Sequence, residues 1–293
     1  MTEATLTYVN GEPTLRFERR LRHAPAKVWR AVTDPAEMKH WFPAAVEAEL
    51  RPGAPMRFVF PEEAVVDGAW AGEVLEVDEP KVFMFRWNQD VLRIELIPDG
   101  DGCTLVFSQT IGGGQVGFLA AGRTAAGWDT CLDQLVAQLD GTTVPERTDW
   151  VTPMARYIEK FDLGDGTVTS TKDGYELRFA RDLVWRQPAD TWPVLTRSLE
   201  IGRVIREEPP RVLEYEWARG GTVRWEFLSD SKLGERVELT HTLPASLADL
   251  RPLALATWHH RLELFFAAAT GGVEDPWSED RVAELVKHYA AQE

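Results

Sequence analysis

Cysteine is scarce. The chain of 293 residues carries two, Cys103 and Cys131, too few for a disulfide framework and suited to buried thiols in a reducing cytoplasm. Basic charge is also short, with 32 Lys and Arg against 47 Asp and Glu and a formal net charge of −15. Such a surface repels phosphate backbones and anionic bilayers, and no basic patch compensates, so neither nucleic acid nor a membrane surface is an expected partner. No run of 18 apolar residues occurs. The opening stretch MTEATLTYVNGEPTLRF lacks a basic segment followed by an apolar one, so no transmembrane helix and no signal peptide are expected. The six histidines form no HExxH pattern and no CxxC occurs, so nothing points to a metal, a cofactor or a catalytic residue. His259 and His260 are adjacent, which on a helix turns them about 100° apart and reads as solvated surface. Gly112-Gly113-Gly114 lacks phosphate-loop spacing and reads as a turn into a helix.

Tryptophan, by contrast, is abundant: there are twelve. Much of the excess is duplication, because the chain repeats itself. LRFERRLRHAPAKVWRAVT (15–33) aligns with LRFARDLVWRQPADTWPVLT (177–196) with one residue inserted, and GEVLEVDEPKVFMFRW (72–87) aligns with GRVIREEPPRVLEYEW (202–217) without a gap. TLVFSQTI (104–111) answers RVELTHTL (236–243), and GWDTCLDQL (127–135) answers TWHHRLELF (257–265). Trp29/Trp192, Trp87/Trp217, Trp128/Trp258 and Trp150/Trp277 are thus matched pairs. Trp41 and Trp70 are private to the first copy, and Trp185 and Trp225 to the second. The copies are unequal. Between Thr33 and Gly72 lie 38 residues and between Thr196 and Gly202 only five, so the second copy lacks a segment containing DPAEMKHWFP and a strand-like stretch. The organisation expected is a complete domain over 1–150, a linker helix and loop over 151–176, and a truncated domain over 177–293.

Period-two alternation predicts a strand opening each copy, at Leu15/Phe17 and at Leu177/Phe179, and further strands around Met56–Phe60, Gly72–Val77, Val82–Trp87, Leu92–Ile97 and Thr104–Thr110, separated by turns rich in Pro, Asn, Asp and Gly. Val28, Trp29 and Val32 fall at helical spacing behind Pro25, which suits a first turn. The matching helix of copy two contains Pro193 and is expected to be short or kinked. A long closing helix from about Leu119 to Leu139 carries Trp128, Leu132 and Leu135 on one stripe. Further helices are expected near 153–161 and 278–290, with Ser278 as an N-cap.

The ordered strings RRLRHAPAKVWRAVTDPAEMKHWF, GEVLEVDEPKVFMFRW, CTLVFSQT and GWDTCLDQL resemble the family named after the activator of the heat-shock chaperone ATPase, within the START-like (SRPBCC) helix-grip superfamily. The resemblance implies an α+β fold of two tandem helix-grip domains, each a curved antiparallel sheet wrapped on a long C-terminal helix. The strands missing from copy two would then lie at one end of the sheet. It also implies a pocket between sheet and helix. The inward positions of copy one would line it: Met56, Phe58, Phe60, Phe83, Phe85, Trp87, Ile94, Leu96, Phe107 and Trp128. His40, Trp41, Gln109 and Arg123 would stand at the entrance and Trp70 at its border. Apolar walls with few polar groups suit a small hydrophobic or aromatic ligand, and the competing reading is that these side chains fill a core to normal density. The function expected is non-catalytic binding of such a ligand in copy one, in the cytoplasm, with a protein partner or self-association also open. Copy two is expected to have lost any enclosed pocket. Two alternatives stand beside this: a polyketide aromatase/cyclase-like enzyme, which would need inward proton-transfer groups, and a chaperone or protein-interaction module, as the family name suggests.

Overall fold

The computed structural model describes residues 3–61, 69–145, 147–198, 202–230, 234–272 and 276–292, and the chain divides into two compact units, Met1–Trp150 and Val151–Glu293. In the first unit the alternating stretches form β1 (Thr5–Val9), β2 (Glu12–Leu21), β3 (Ala45–Ala48), β4 (Pro55–Val59), β5 (Ala69–Asp78), β6 (Val82–Trp87), β7 (Asp90–Asp99) and β8 (Gly102–Thr110). They join in one antiparallel sheet of order β1-β2-β8-β7-β6-β5-β4-β3. Helices α1 (Pro25–Thr33) and α2 (Pro35–Met38) lie between β2 and β3, and α3 (Gly114–Leu119) and α4 (Ala121–Asp140) follow β8. Pro25 opens α1 and Asp34 caps α2 by accepting from the Ala36 N–H. Register places Leu15 and Leu92 beside Gln109, and Phe17 and Ile94 beside Phe107. Rows of apolar side chains therefore cross the inner face. Trp128, Leu132 and Leu135 of α4 are buried with them.

The second unit begins with α5 (Val151–Lys160) and continues through β9 (Thr167–Ser170), β10 (Gly174–Asp182), α6 (Pro188–Ser198), β11 (Val204–Glu208), β12 (Val212–Glu216), β13 (Thr222–Asp230), β14 (Gly234–Pro244), a 3-10 turn, α7 (Arg251–Thr270) and α8 (Glu279–Ala290). Its sheet order is β11-β12-β13-β14-β10-β9. Laid against the first unit, the absent pair is the one matching β3 and β4, which sit at the sheet's end. The deletion trims an edge and leaves every inner pairing intact. The new edge strand β11 is mostly exposed and carries Arg206, Glu207 and Glu208, charges that discourage pairing with another chain. The two long helices correspond: α4 and α7 are each 20 residues long. Each ends at a glycine in the left-handed region, Gly141 at φ 68° and Gly271 at φ 81°, a conformation that a Cβ would strain.

Three expectations change. Residues 151–176, read as a linker helix and loop, hold the helix as α5 but also β9 and the start of β10, and they cluster with the second unit. Helix α6 runs on to Ser198 through Pro193, so the proline does not cut it short. Strands β1 and β9 escape a pattern search because both are largely exposed edge strands with no buried row. Ser278 caps α8 as expected, accepting from the Arg281 N–H. Among the described residues no helix is long and apolar enough to cross a membrane.

Candidate functional site

In the first unit the inward aromatic positions converge. Trp87 lies 5.0 Å from Phe58, 5.9 Å from Phe60, 6.1 Å from Trp70 and 6.1 Å from Trp128, centroid to centroid. Phe107 lies 4.4 Å from Trp128, and Phe83 lies 5.0 Å from Phe85. These are the separations at which offset and edge-on ring pairs are attractive. Gly72 makes the approach of Phe58 possible, because a Cβ there would come within 2.7 Å of that ring and 2.2 Å of the Arg86 carbonyl oxygen. Met56, Phe58, Phe83, Phe85, Ile94, Leu96, Phe107, Gln109 and Trp128 are buried, while Phe60, Trp70 and Trp87 keep part of their surface.

The ring at the centre is one the sequence pattern did not single out. Phe42, in the turn between α2 and β3, lies 5.2 Å from Trp87, 5.6 Å from Trp128, 6.0 Å from Phe58 and 6.2 Å from Phe85. It thus occupies space between sheet and α4 that the sequence reading left for a ligand. Its neighbour Trp41 is turned back to α1, donating its indole N–H to the Ala31 carbonyl at 2.9 Å. Successive residues of a helical turn point about 100° apart, so sequence alone does not decide which of the two faces inward. His40 lies outside this cluster. It is exposed and borders a shallow hollow with Glu37, Gln138 and Thr142.

A polar chain closes one side of the cluster. The Trp128 indole N–H donates to Gln109 Oε1, Gln109 Nε2 donates to Asp90 Oδ2 at 2.5 Å, and the Gly112 N–H donates to Asp90 Oδ1 at 2.8 Å. Burial raises the Asp90 carboxyl above the usual range. The two hydrogen bonds and the nearby charge of Arg123 oppose that rise. Gln109 thus hydrogen-bonds this carboxylate, and Arg123 acts on it through its charge. One donor in the cluster has no acceptor: the buried Nε1 of Trp87 makes no hydrogen bond among the described residues.

Residues 22–140 match the family described as AHSA1, activator of Hsp90 ATPase homolog 1-like protein. The match covers most of the first unit, which over those residues is similar to the AHSA1 family. A conserved protein of unknown function from Enterococcus faecalis matches with 23% identity over 54% of this chain and 90% of its own, at a TM-score of 0.47. CalU16 from Micromonospora echinospora matches with 20% identity over 55% and 95%, at 0.42. A protein from Mesorhizobium loti matches with 25% identity over 45% and 99%, at 0.39. No curated protein matches the chain.

The second unit keeps the architecture of the AHSA1-like one with altered residues. His241 stands where the first unit has Gln109: it faces Leu177 and Val223 in register, and its Nδ1 accepts the Trp258 indole N–H at 3.0 Å. Its Nε2 faces the Gly220 carbonyl at 3.4 Å, which sets the tautomer with the proton on Nε2. Burial lowers its pKa to about 4. Trp225, fully buried at the position of Ile94, lies 6.2 Å from Trp258 and 6.2 Å from Phe265. Its larger ring takes up room in a core that has no counterpart of Phe42. His259 and His260, expected on the solvated surface, are both buried. α8 packs over this side of α7, and Tyr289 Oη lies 2.8 Å from His259 Nδ1.

Proposed function

We propose that the AHSA1-like unit binds, without transforming it, a small flat hydrophobic molecule that carries one hydrogen-bond acceptor. The observation that carries this is the unpartnered, buried Trp87 indole N–H set among aromatic rings, since a buried donor without an acceptor costs about 1–3 kcal/mol. A ligand carbonyl or phenolic oxygen would accept that N–H while its ring stacks on Phe60, Trp70 and Trp87. Phe42 is the interior ring held by a turn rather than by the sheet or α4, so it is the one to move aside as the ligand seats. Titration with Prodan, a neutral fluorescent naphthyl ketone, tests this. Saturable binding with a blue-shifted emission is expected. Trp87→Phe, which keeps a ring and removes the N–H, is expected to weaken it about tenfold, and Trp217→Phe to leave it unchanged. Unsaturable uptake, or equal affinity in Trp87→Phe, would overturn the reading.

The cyclase-like alternative is favoured by one feature, the raised Asp90 carboxyl beside Gln109 and Arg123, since a carboxyl moved toward neutrality suits proton transfer. Asp90→Asn separates the two readings: binding persists under both, and only an enzyme loses turnover.

A further inference from the structure

The internal repeat supplies its own control for a buried charge. Arg19 and Arg181 are matched positions, near the ends of β2 and β10, and both are buried. Each guanidinium Nη1 donates to the carbonyl of the preceding residue, Glu18 or Ala180, at 3.1 Å, so the two side chains leave the backbone in the same way. In the first unit Arg19 Nη2 donates to Asp129 at 2.6 Å, with Asp133 a further carboxylate at 3.9 Å. In the second unit the residues matched to those acids are His259 and Glu263.

Neither takes over the role. His259 is turned to Tyr289, and burial, then the Arg181 charge, push its pKa down to about 3, so it is neutral. Glu263 is drawn away, accepting from Arg281 Nη2 at 2.7 Å and pairing with His260 Nδ1 at 2.9 Å. Asp165 is held by His288 at 2.8 Å and Gln292 at 3.2 Å. Arg181 Nη1 reaches the Leu163 carbonyl at 3.2 Å, yet its buried Nη2 has no hydrogen-bond partner among the described residues. The charges of Glu263 and Asp165 act on this guanidinium without a hydrogen bond to it, and a buried charged group with an unfilled donor is costly.

This guanidinium forms part of the wall of a cleft of about 570 Å³ that is made entirely by the second unit, chiefly by α5, α7 and α8. From α7 the cleft takes His259, His260, Glu263 and Ala267 rather than Trp258, Leu262 and Phe265 of the core against the sheet, and so is distinct from the sheet-and-helix pocket expected for this fold. Beside Arg181 the wall is Gly164, whose backbone approaches so closely that a Cβ would come within 2.9 Å of Nη2 and 2.7 Å of His259 Nε2. Apolar residues Val151, Ala155, Ile158, Ala267 and Leu285 supply the remainder of one wall.

We propose that this cleft binds a small organic monocarboxylate, whose carboxylate pairs with Arg181 as Asp129 pairs with Arg19, and whose apolar body lies along α5 and α8. One unmatched guanidinium calls for one negative charge. Asp165, Glu263 and Glu159 around the cleft repel a phosphate dianion more strongly.

Thermal unfolding of the full chain at neutral pH with octanoate, octanol or inorganic phosphate tests the site. Octanoate is expected to raise Tm saturably, and octanol and phosphate to leave it unchanged. His259→Asp rebuilds the first unit's pair from within, so it is expected to raise Tm without ligand and to weaken octanoate at least tenfold. His259→Asn, neutral like the imidazole, is expected to keep the octanoate response. Arg181→Met removes the charge without adding another and is read in the same way should His259→Asp fail to fold: loss of the response supports the site. No saturable octanoate response, an equal response to phosphate, or a response that survives both His259→Asp and Arg181→Met would overturn the proposal. Because octanoate seated among the aromatic rings of the first unit would survive both variants, failure here is distinguishable from failure of the Prodan experiment.

Discussion

Gln109 and His241 perform one structural task with different acid chemistry, since both accept an indole N–H from the long helix. The difference appears in the pH dependence of stability. His241 is held at about 4 in the folded unit, below its ordinary value of about 6.5. As the pH falls from about 6.5 to about 4 the unfolded chain therefore binds a proton that the folded unit refuses, and stability present above that window is lost through it. The amount is on the order of 3 kcal/mol for this residue, and His259 adds to it in the same direction. His241→Gln, copying the first unit, is expected to flatten the acid side of the second unit's stability profile. Urea midpoints at pH 7, 5.5 and 4.5 check this, and a profile as steep as the wild type's would show that His241 is not a source of the acid sensitivity.

At the scale of elements, the turn between α2 and β3 matters more than its few residues suggest. It delivers Phe42 into contact with β4, β6 and α4 at once, closing the space between sheet and helix. Phe42→Ala is expected to cost about 3–5 kcal/mol, the usual range for deleting a buried ring, and to leave a cavity able to take a benzene-sized molecule. A saturable rise in Tm with added benzene, seen in Phe42→Ala and not in the wild type, checks both parts. Most elements were legible in the sequence because alternation and helical spacing record which face is buried, as in β6, where Phe83 and Phe85 are buried and Arg86 is exposed. The inward choice between Trp41 and Phe42 was not, because it depends on where α1 offers a carbonyl to the Trp41 indole. Strands β1 and β9 were not, because exposed edges carry no apolar signature.

At the scale of the whole molecule, the chain holds two units of one plan, Met1–Trp150 and Val151–Glu293, each with its own sheet and long helix. A chain ending at Trp150 is expected to unfold in one cooperative transition with the near-ultraviolet signal of packed tryptophans, because all the ring contacts of the Phe42–Trp87–Trp128 cluster lie within it. A broad transition without that signal would count against an independent first unit. The repeat, its unequal completeness and the likeness of residues 22–140 to the AHSA1 family follow from the order of residues alone, since a duplicated pattern of buried positions survives in sequence even where side chains diverge. What compensates each buried charge does not. Arg19 and Arg181 look equivalent in a line of letters, and their fates diverge because attraction between charges is decided through space over a few ångströms. Only the folded chain brings Asp129 to the first arginine, and only the folded chain turns His259 toward Tyr289 and draws Glu263 to Arg281, leaving the second arginine facing a cleft.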